Sequence, residues 1–374
     1  MSNLKELSSK LRAVSHGSPY LSTTYQQDSG LFAPSMKRIN FIVLLVVFIA
    51  FMPYISSASI LSVTNFSLIA IIGAVGLQVV TGMASQLSLG HAAFMATGAF
   101  VSTGMFFQMN LPPWLIIPLG AISGMILGFI SGIPALRLRG FYLGITTLAL
   151  QAIVGVACLK YQVFLQTRYG TTTDLLLPQI RAFGVTIESS KSWFFFLLVV
   201  SGMSVFFVKN LSRSQFGRDA AAMRQKEVVA ESLGINVAMV KLRAFAIAGF
   251  FGGLCGTLQT FYFRQASIED FSLTVSVKYL AMILIGGLGV VSGAVYGAIF
   301  VTGATFLVGE IISRGGLTET LGPKSRGIEL AVFAMMMIVF LIFEPDSIAG
   351  VWTRVKGYFQ LWPYRYVSTT RAKR

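Results

Sequence analysis

Long apolar runs alternate with short polar breaks along most of the chain. The runs lie near residues 39–58, 60–80, 87–107, 114–135, 141–159, 193–208, 244–263, 279–293, 294–312 and 328–343. A helix needs about 20 apolar residues to cross a hydrocarbon core of about 30 Å, and most runs approach that length. The pattern therefore predicts an all-α fold, a polytopic transmembrane helix bundle of about ten spans.

The composition supports a single membrane domain. Hydrophobic residues make up 55% of the 374 positions, charged residues make up 11%, and the mean hydropathy is +0.74. These values are far from those of a soluble domain with a mixed, charged surface. We predict an N-terminal tail at residues 1–38, a transmembrane domain at 39–345 and a basic C-terminal tail at 346–374.

The basic residues predict how the chain is oriented in the membrane. Most of the 29 Lys and Arg residues lie in the N-terminal tail, at Arg137 and Arg139, in the polar segment 209–243 and near the C-terminus. Cytoplasmic loops carry an excess of such residues, so both termini and the polar segment are expected in the cytoplasm. Basic residues in loops beside the membrane also account for the net charge of +15. They are expected to contact membrane lipid, and no nucleic-acid partner is expected.

Two apolar runs contain breaks rich in glycine. Run 87–107 opens with LSLGH, and run 279–312 is interrupted by GGLGVVSGAVYG. Short, Gly-interrupted segments in both halves of a chain often mark a transport pathway, whereas close helix packing is the alternative use of membrane glycines. The sequence leaves open whether 279–312 crosses the membrane twice or re-enters it. Close helix packing is the favoured role for four glycines that are spaced four residues apart, Gly120, Gly124, Gly128 and Gly132.

The sequence contains no recognisable catalytic or nucleotide-binding motif. It lacks a GxxxxGK[ST] phosphate loop, and its only histidines are His16 and His91. Cys158 and Cys255 lie in apolar runs and are predicted to be packing residues. Charged residues are missing from the middle of nearly every run, which disfavours an ion-coupled carrier. We therefore predict a transport subunit without a cofactor, driven by another polypeptide; a passive channel or a structural scaffold is less favoured.

The polar segment, KNLSRSQFGRDAAAMRQKEVVAESLGINVAMVKLR at 209–243, is predicted to act outside the membrane. Residues from Arg218 to Leu233 favour helix, because they include three consecutive alanines and no proline. Gly234 stands where a C-terminal cap belongs, and Asn236 can cap the next helix. The segment is thus predicted to be one helix, a tight turn and a second helix that enters the membrane.

The first of these helices has a mixed face. Met223, Glu227, Ala230 and Leu233 would share one side of a continuous helix, giving a small apolar patch bordered by charge. Such a face suits a groove on a partner protein. An amphipathic helix lying on the anionic inner leaflet is the alternative that composition alone leaves equally open.

Four strings of the chain resemble those of a known family. The string FGRDAAAMRQKEVVAESLGINVAMVKLRAFAIAGFFGGLCG is similar to the coupling segment of permease subunits of bacterial ABC importers for branched-chain amino acids, the LivM-like group. Three further strings resemble the same group, in the family order, over most of residues 40–345. They are SQLSLGHAAFMATGAF (85–100), GIPALRLRGFYLGITTLAL (132–150) and YLAMILIGGLGVVSGAVYGAIF (279–300).

The resemblance implies a subunit of a larger importer in the bacterial inner membrane. Its expected partners are a second, related permease subunit in a heterodimer, two cytoplasmic ATP-binding cassette subunits and a periplasmic substrate-binding protein. Urea or a short amide is the alternative substrate, because related permeases of this superfamily carry these solutes. The resemblance makes Glu227, Ala230 and Gly234 parts of the ATPase-docking motif, and the full set of candidate coupling residues is Arg218, Met223, Glu227, Ala230, Leu233 and Gly234.

The LSLGH string supplies candidate pathway residues. A helix starting near Gly90 would present free N–H groups that favour a substrate carboxylate. The alternative is that Ser88 caps a helix and His91 makes a local hydrogen bond. Two threonines in the middle of GITTLAL are weaker candidates, because threonines there often bond to their own helix. The predicted pathway residues are Gln86, Ser88, Gly90, His91, Thr146 and Thr147.

Overall fold

The structure is a computed structural model, and it describes residues 57–138, 140–169 and 189–314, three short strands between 175 and 187, and a few single positions. The described residues from Ser57 onward belong to one compact unit. Four predicted segments lie outside the described residues, except for a few single positions. They are the tails, 1–38 and 346–374, and the spans 39–58 and 328–343.

The described part of the chain is mostly helical. Seven helices in it are long and apolar enough to cross a membrane, namely all of those below except α6, α7 and α9. In chain order the helices are α1 (Ala58–Leu77), α2 (His91–Met109), α3 (Pro113–Ala135), α4 (Phe141–Tyr169), α5 (Ser190–Arg213), α6 (Gln215–Gln225), α7 (Glu227–Ser232), α8 (Val237–Phe263), α9 (Leu273–Gly286) and α10 (Val291–Arg314). Every apolar run predicted between residues 60 and 312 overlaps one of them.

Two small antiparallel strand pairs are added to this helical fold. Strand β1 (Leu175–Leu176) pairs with β4 (Gln265–Ala266), and β2 (Ile180–Ala182) pairs with β3 (Val185–Ile187). The first pair joins the segments that follow α4 and α8, and the second lies within the segment between α4 and α5. A 3₁₀ turn at Ile268–Phe271 then leads from β4 into α9. Within the described residues, the fold therefore departs from the all-α prediction in these short connections, and seven helices rather than about ten have the length and composition of spans.

The break in the predicted run 279–312 lies earlier than its apolar pattern indicates. Helix α9 ends at Gly286 and α10 begins at Val291, whereas the sequence predicted the boundary near residue 293. Gly287 and Gly289 have φ angles of 126° and 83°, which glycine adopts far more readily than other residues. With 14 residues, α9 is about 21 Å long and shorter than a hydrocarbon core of about 30 Å.

Helices α3 and α8 cross at a contact made by glycines. A Cβ atom at Gly124 would lie 2.7 Å from Cα of Gly253 and would overlap the carbonyl oxygen of Gly249. A Cβ at Gly128 would likewise overlap the carbonyl oxygen of Phe245. The backbones can approach only because side chains are absent, as in other small-residue membrane interfaces. The packing role predicted for the glycines of α3 is confirmed.

An irregular, mostly buried segment joins α1 to α2. Helix α1 continues as a π-helical turn, Gln78–Met83, and residues 84–90 then run without regular structure. Within a membrane such backbone is tolerated only where protein or a wet cavity satisfies its polar groups. Here the Leu89 N–H donates to Thr147 Oγ1 at 2.9 Å, and the Gln86 N–H donates to the Val80 carbonyl at 3.0 Å. This segment positions the predicted pathway residues.

Candidate coupling region and substrate pathway

The polar segment forms two short helices rather than one. Helix α6 ends at Gln225, and Lys226 adopts extended φ and ψ angles of −156° and 120° before α7 begins at Glu227. The prediction of a continuous helix from Arg218 to Leu233 is therefore wrong at Lys226. The break redirects α7, and the Glu227 carboxylate pairs with the ammonium group of Lys241 on α8.

The turn after α7 has the geometry that the sequence predicts. Gly234 has a φ of 81°, the Ile235 N–H donates to the Ala230 carbonyl at 3.1 Å, and the Gly234 N–H donates to the Glu231 carbonyl at 3.0 Å. These two bonds form a Schellman motif, which places glycine at the left-handed position. Asn236 then accepts the Met239 N–H at 3.0 Å as the N-cap of α8. Both predicted caps are confirmed.

Lys241 connects the polar segment to the membrane helices. Its side chain is 2% exposed, pairs with Glu227 and donates to the Ala135 carbonyl at 3.3 Å, at the end of α3. A cation is favourable there because the carbonyls at a helix C-terminus carry partial negative charge. One lysine thus joins α3, α7 and α8, so that α7 is fixed relative to the spans.

The exposed apolar side chains of α7 are not those that the sequence predicted. Met223 and Ala230 are buried within the chain, and only Leu233 of the predicted apolar residues is exposed, at 72%. Val228 and Val229 are exposed at 65% and 49%. We call Val228, Val229 and Leu233 the apolar patch. The sequence missed both valines because the predicted face assumed a helix without a break.

Helix α6 contacts the turn between α9 and α10. The Arg224 guanidinium lies against Gly289, where an added Cβ would overlap it. Gln78, in the π-helical turn, donates through Nε2 to the carbonyls of Gly287 and Val290 at 2.9 and 3.1 Å. The polar segment, the π-helical turn and the α9–α10 turn therefore meet at one end of the bundle. Nearby, Arg218 donates to the Arg213 carbonyl at 3.1 Å and stabilises the α5–α6 connection.

The predicted pathway residues before α2 come together in the interior. Gln86, Ser88 and His91 are buried, and the His91 ring has ring centroid distances of 6.1 Å to Phe94 and 5.3 Å to Tyr279. The Ser88 hydroxyl has no hydrogen-bond partner among the described residues. A buried hydroxyl without a protein partner is unusual, and contact with water is the ordinary way to satisfy it.

The start of α2 is less available to an anion than the sequence predicts. The helix begins at His91, as expected, but the Ala92 N–H donates to Ser276 Oγ at 2.9 Å and the Ala93 N–H donates to the Gly90 carbonyl at 3.0 Å. These two N–H groups are therefore already satisfied. A carboxylate held at this helix end would have to displace the serine hydroxyl.

Gly90 and the two threonines have structural contacts. A Cβ at Gly90 would overlap the Thr147 carbonyl oxygen, so the segment can approach α4 only through glycine. Thr147 is buried, accepts the Leu89 N–H and donates to the Gly144 carbonyl at 2.9 Å. Thr146 donates to the Tyr142 carbonyl at 2.9 Å within its own helix. Both hydroxyls thus donate to carbonyls of their own helix, as the alternative interpretation of these threonines predicts.

The apolar spans, the buried irregular segment and the anchored polar segment together define a multi-pass membrane protein of the transporter class. Residues 59–341 match the family model described as branched-chain amino acid transport system / permease component. The chain belongs to this family of permease components.

Related proteins are similar to the chain over most of its length. It is 30% identical over 336 residues to the high-affinity branched-chain amino acid transport system permease protein LivM of Escherichia coli, covering 84% of this chain and 75% of that protein. The LivM of Salmonella typhimurium is 31% identical over 277 residues, 68% of this chain and 65% of that protein. A probable branched-chain amino acid transport permease protein LivH of Methanocaldococcus jannaschii is 22% identical over 300 residues, with coverages of 78% and 92%. No solved structure matches the chain significantly.

Proposed function

We propose that this chain is a membrane-spanning subunit of an ABC importer for branched-chain amino acids in the bacterial inner membrane, with the polar segment in the cytoplasm. The observation that carries the proposal is the polar segment itself, two short helices anchored to the spans by Lys241 with an apolar patch left exposed. Family membership and the substrate named for the Escherichia coli and Salmonella relatives support it.

The apolar patch is the proposed docking surface for an ATP-binding cassette subunit. Three exposed apolar side chains beside charged Arg224 and Glu231 suit insertion into a partner's groove, where buried aliphatic side chains supply affinity and the charged rim supplies orientation. The predicted coupling residues divide into two roles. Leu233 contacts the partner, whereas Met223, Glu227, Ala230 and Gly234 hold α6 and α7 in place, and Arg218 stabilises the preceding connection.

The contacts of the polar segment suggest how ATP hydrolysis on a partner moves the spans. Lys241 joins α7 to α8, and Arg224 of α6 lies against the α9–α10 turn. A displacement of α6 and α7 is therefore transmitted to α8 directly and to α9 and α10 through their turn. The chain supplies movement and a pathway, and the energy comes from two cytoplasmic ATP-binding cassette subunits.

A second, related permease subunit completes the pathway in this proposal. Helices α4 and α5 are the least buried of the seven spans in the described residues, so large apolar faces remain for lipid or a partner subunit. The chain is similar to relatives named LivM and to one named LivH, which fits two related subunits descended from one fold. A periplasmic binding protein delivers the substrate at the end of the bundle opposite the polar segment.

The test is reconstitution of the complete importer in proteoliposomes. Leucine uptake is expected only with ATP, both cassette subunits, the second permease and the binding protein. Uptake by this chain alone, driven by an ion gradient, would reject the importer in favour of a secondary carrier. Uptake of urea instead of leucine would reject only the assigned substrate.

A matched pair of variants tests the docking surface. Leu233→Asp places a charge in the apolar patch, and Ser232→Asp places the same charge on the adjacent exposed residue, outside the patch. Leu233→Asp is expected to prevent copurification of the cassette subunits, and Ser232→Asp is expected to retain it. Equal copurification of both variants would show that the patch does not dock the ATPase.

A further inference from the structure

A groove between α1, α9 and α10 shares no lining residue with the polar segment or with the irregular segment before α2. Its volume is about 540 Å³, within the range of about 300–1,000 Å³ that small-molecule sites occupy. Its walls combine two charged side chains, several hydroxyl groups and three apolar side chains. They are Ser59, Ser62, Val63, Phe66, Lys278, Thr302, Thr305, Phe306, Gly309 and Glu310.

The groove lies away from the polar segment. It is formed by the first three turns of α1, by residues from the middle of α10 to its last turns, and by Lys278 in the first half of α9. The opposite ends of α9 and α10 form the turn that contacts Arg224. With the polar segment in the cytoplasm, the groove therefore belongs to the outer half of the bundle, where an imported solute first meets the spans.

The charges of the groove are unusual for membrane helices. Lys278 lies within α9 and Glu310 near the end of α10, and an ionisable residue on a membrane helix commonly marks a pathway or binding site. The Lys278 ammonium lies 6.0 Å from the Phe66 ring centroid, a distance at which a cation is attracted to an aromatic face. Lys278 and Glu310 also make interactions of their own, for which a bound solute would compete.

Thr302 gives an independent indication of a ligand. Its side chain is 3% exposed and lines the groove, and its hydroxyl has no hydrogen-bond partner among the described residues. A buried hydroxyl normally has such a partner, so an unpartnered hydroxyl on a residue that lines a cavity favours an occupant with a polar group. Thr305, one turn further along α10, instead bonds the Val301 carbonyl at 2.7 Å.

We propose that this groove binds a small zwitterionic solute with an apolar side chain, such as leucine, on its way into the pathway. The Lys278 ammonium pairs with the solute carboxylate, the Glu310 carboxylate pairs with its ammonium, and the Thr302 hydroxyl bonds one of these two groups. Phe66 and Phe306 contact the apolar part. This inference rests on the proposed importer function, and it adds a binding site and the residues that recognise both charges.

Cysteine labelling tests the groove in the assembled importer. The only native cysteines, Cys158 and Cys255, are buried, so a cysteine introduced at exposed Ser62 reports on the groove. In complexes held in lipid nanodiscs, leucine at millimolar concentration is expected to slow maleimide labelling of Ser62→Cys. Ile60→Cys is the control, because Ile60 is exposed on the same helix and does not line the groove. Its labelling rate is expected to stay the same with and without leucine.

Two leucine analogues and two lysine variants test the charge recognition. Isoamylamine lacks the carboxylate of leucine, and isocaproate lacks its ammonium. The concentration that gives half-maximal protection of Ser62→Cys is therefore expected to be at least about tenfold higher for either analogue than for leucine. Lys278→Met in the same background is expected to remove the preference for leucine over isoamylamine. Lys191→Met changes a lysine outside the groove and is expected to keep this preference. A merely structural role of Lys278 would leave the analogue preference unchanged in any variant that assembles.

The outcomes separate this inference from the proposed function. If the importer takes up leucine with ATP but leucine does not protect Ser62→Cys, the groove is not a solute site and the inference fails alone. Equal protection by leucine and isoamylamine would reject recognition of a zwitterion. Phosphatidylethanolamine also carries both charges. Protection that follows its content in the nanodiscs and is unaffected by leucine would assign the groove to a lipid headgroup and overturn the inference.

Discussion

The carboxylate of Glu227 and the ammonium of Lys241 form an ion pair at the junction between the polar segment and the spans. The lysine is almost fully buried and also donates to the carbonyl of Ala135 at the end of α3. A connecting loop without this contact could move independently of the helices that it joins. Here α7 is held to α8, so a force applied to the apolar patch acts on the membrane helices.

Lys241→Met is expected to lower the stability of the protein. The variant keeps most of the aliphatic side chain but removes the charge facing the Glu227 carboxylate, and breaking a buried ion pair costs about 3–5 kcal/mol. Thermal unfolding of the purified subunit measures the loss. Combining Lys241→Met with Glu227→Gln is expected to recover part of it, because the carboxylate is then also neutralised. Additive losses in the double variant would show that the two side chains do not interact.

Gly234→Val is expected to uncouple ATP hydrolysis from uptake. Gly234 has a φ of 81°, and a β-branched residue held there would cost about 1–3 kcal/mol in backbone strain. A Cβ at this position meets no described atom within 4 Å, so the effect is conformational and not a steric clash. The reconstituted importer should keep most of its ATPase rate and lose leucine uptake, while membrane insertion stays intact.

The asparagine variant provides the control for Gly234. Asparagine tolerates the left-handed conformation better than valine, so Gly234→Asn should retain most of the uptake. If both variants transport at the wild-type rate, the turn does not transmit movement, and contact of this segment with the lipid surface becomes the better interpretation.

The parts of the polar segment that the sequence predicts correctly depend on local chemistry. Gly234 and Asn236 cap helices through bonds to residues three to five positions away, so nearby sequence suffices to place them. The break at Lys226 has no such local signal. It accompanies the pairing of Glu227 with Lys241, a contact between two helices that becomes visible only when they are packed together.

The charged groove was missed for a similar reason. The apolar run that predicts this span starts at residue 279, which places Lys278 just outside it, whereas α9 begins at Leu273 and contains the lysine. Glu310 lies near the end of the predicted run 294–312, where a charge can reach the membrane surface. Only the packing of α1, α9 and α10 brings both charges to one groove. Residue spacing within single helices cannot show this.

Gly124→Val is expected to disrupt the crossing of α3 and α8. Its side chain would overlap the backbone of Gly249 and Gly253, which cannot move without separating the helices. Overpacking a tight contact costs about 1–3 kcal/mol or more, so the yield of folded protein and its thermal midpoint should both fall. Gly155→Val is the matched control, because a Cβ there meets no described atom within 4 Å. Equal effects of the two substitutions would contradict a packing role for Gly124.

Ser88→Ala provides the sharpest test of the predicted pathway. Gly90→Val cannot separate transport from folding, because its side chain would overlap the Thr147 carbonyl, and His91→Ala would remove a ring packed between Phe94 and Tyr279. Ser88→Ala removes only a buried hydroxyl that has no partner among the described residues. If this hydroxyl contacts water or substrate in the pathway, the variant should fold normally and transport leucine several-fold more slowly at unchanged ATPase rate.

Ser131→Ala is the control for this measurement. Ser131 is also buried, and its hydroxyl bonds the Gly128 carbonyl at 2.7 Å within its own helix, so its removal should leave uptake near the wild-type rate. Wild-type uptake by Ser88→Ala would instead favour the alternative in which the segment before α2 is structural. In that case the main role of the segment is to satisfy its own irregular backbone at membrane depth. The Leu89 N–H bonds to Thr147, and the Ala92 N–H bonds to Ser276.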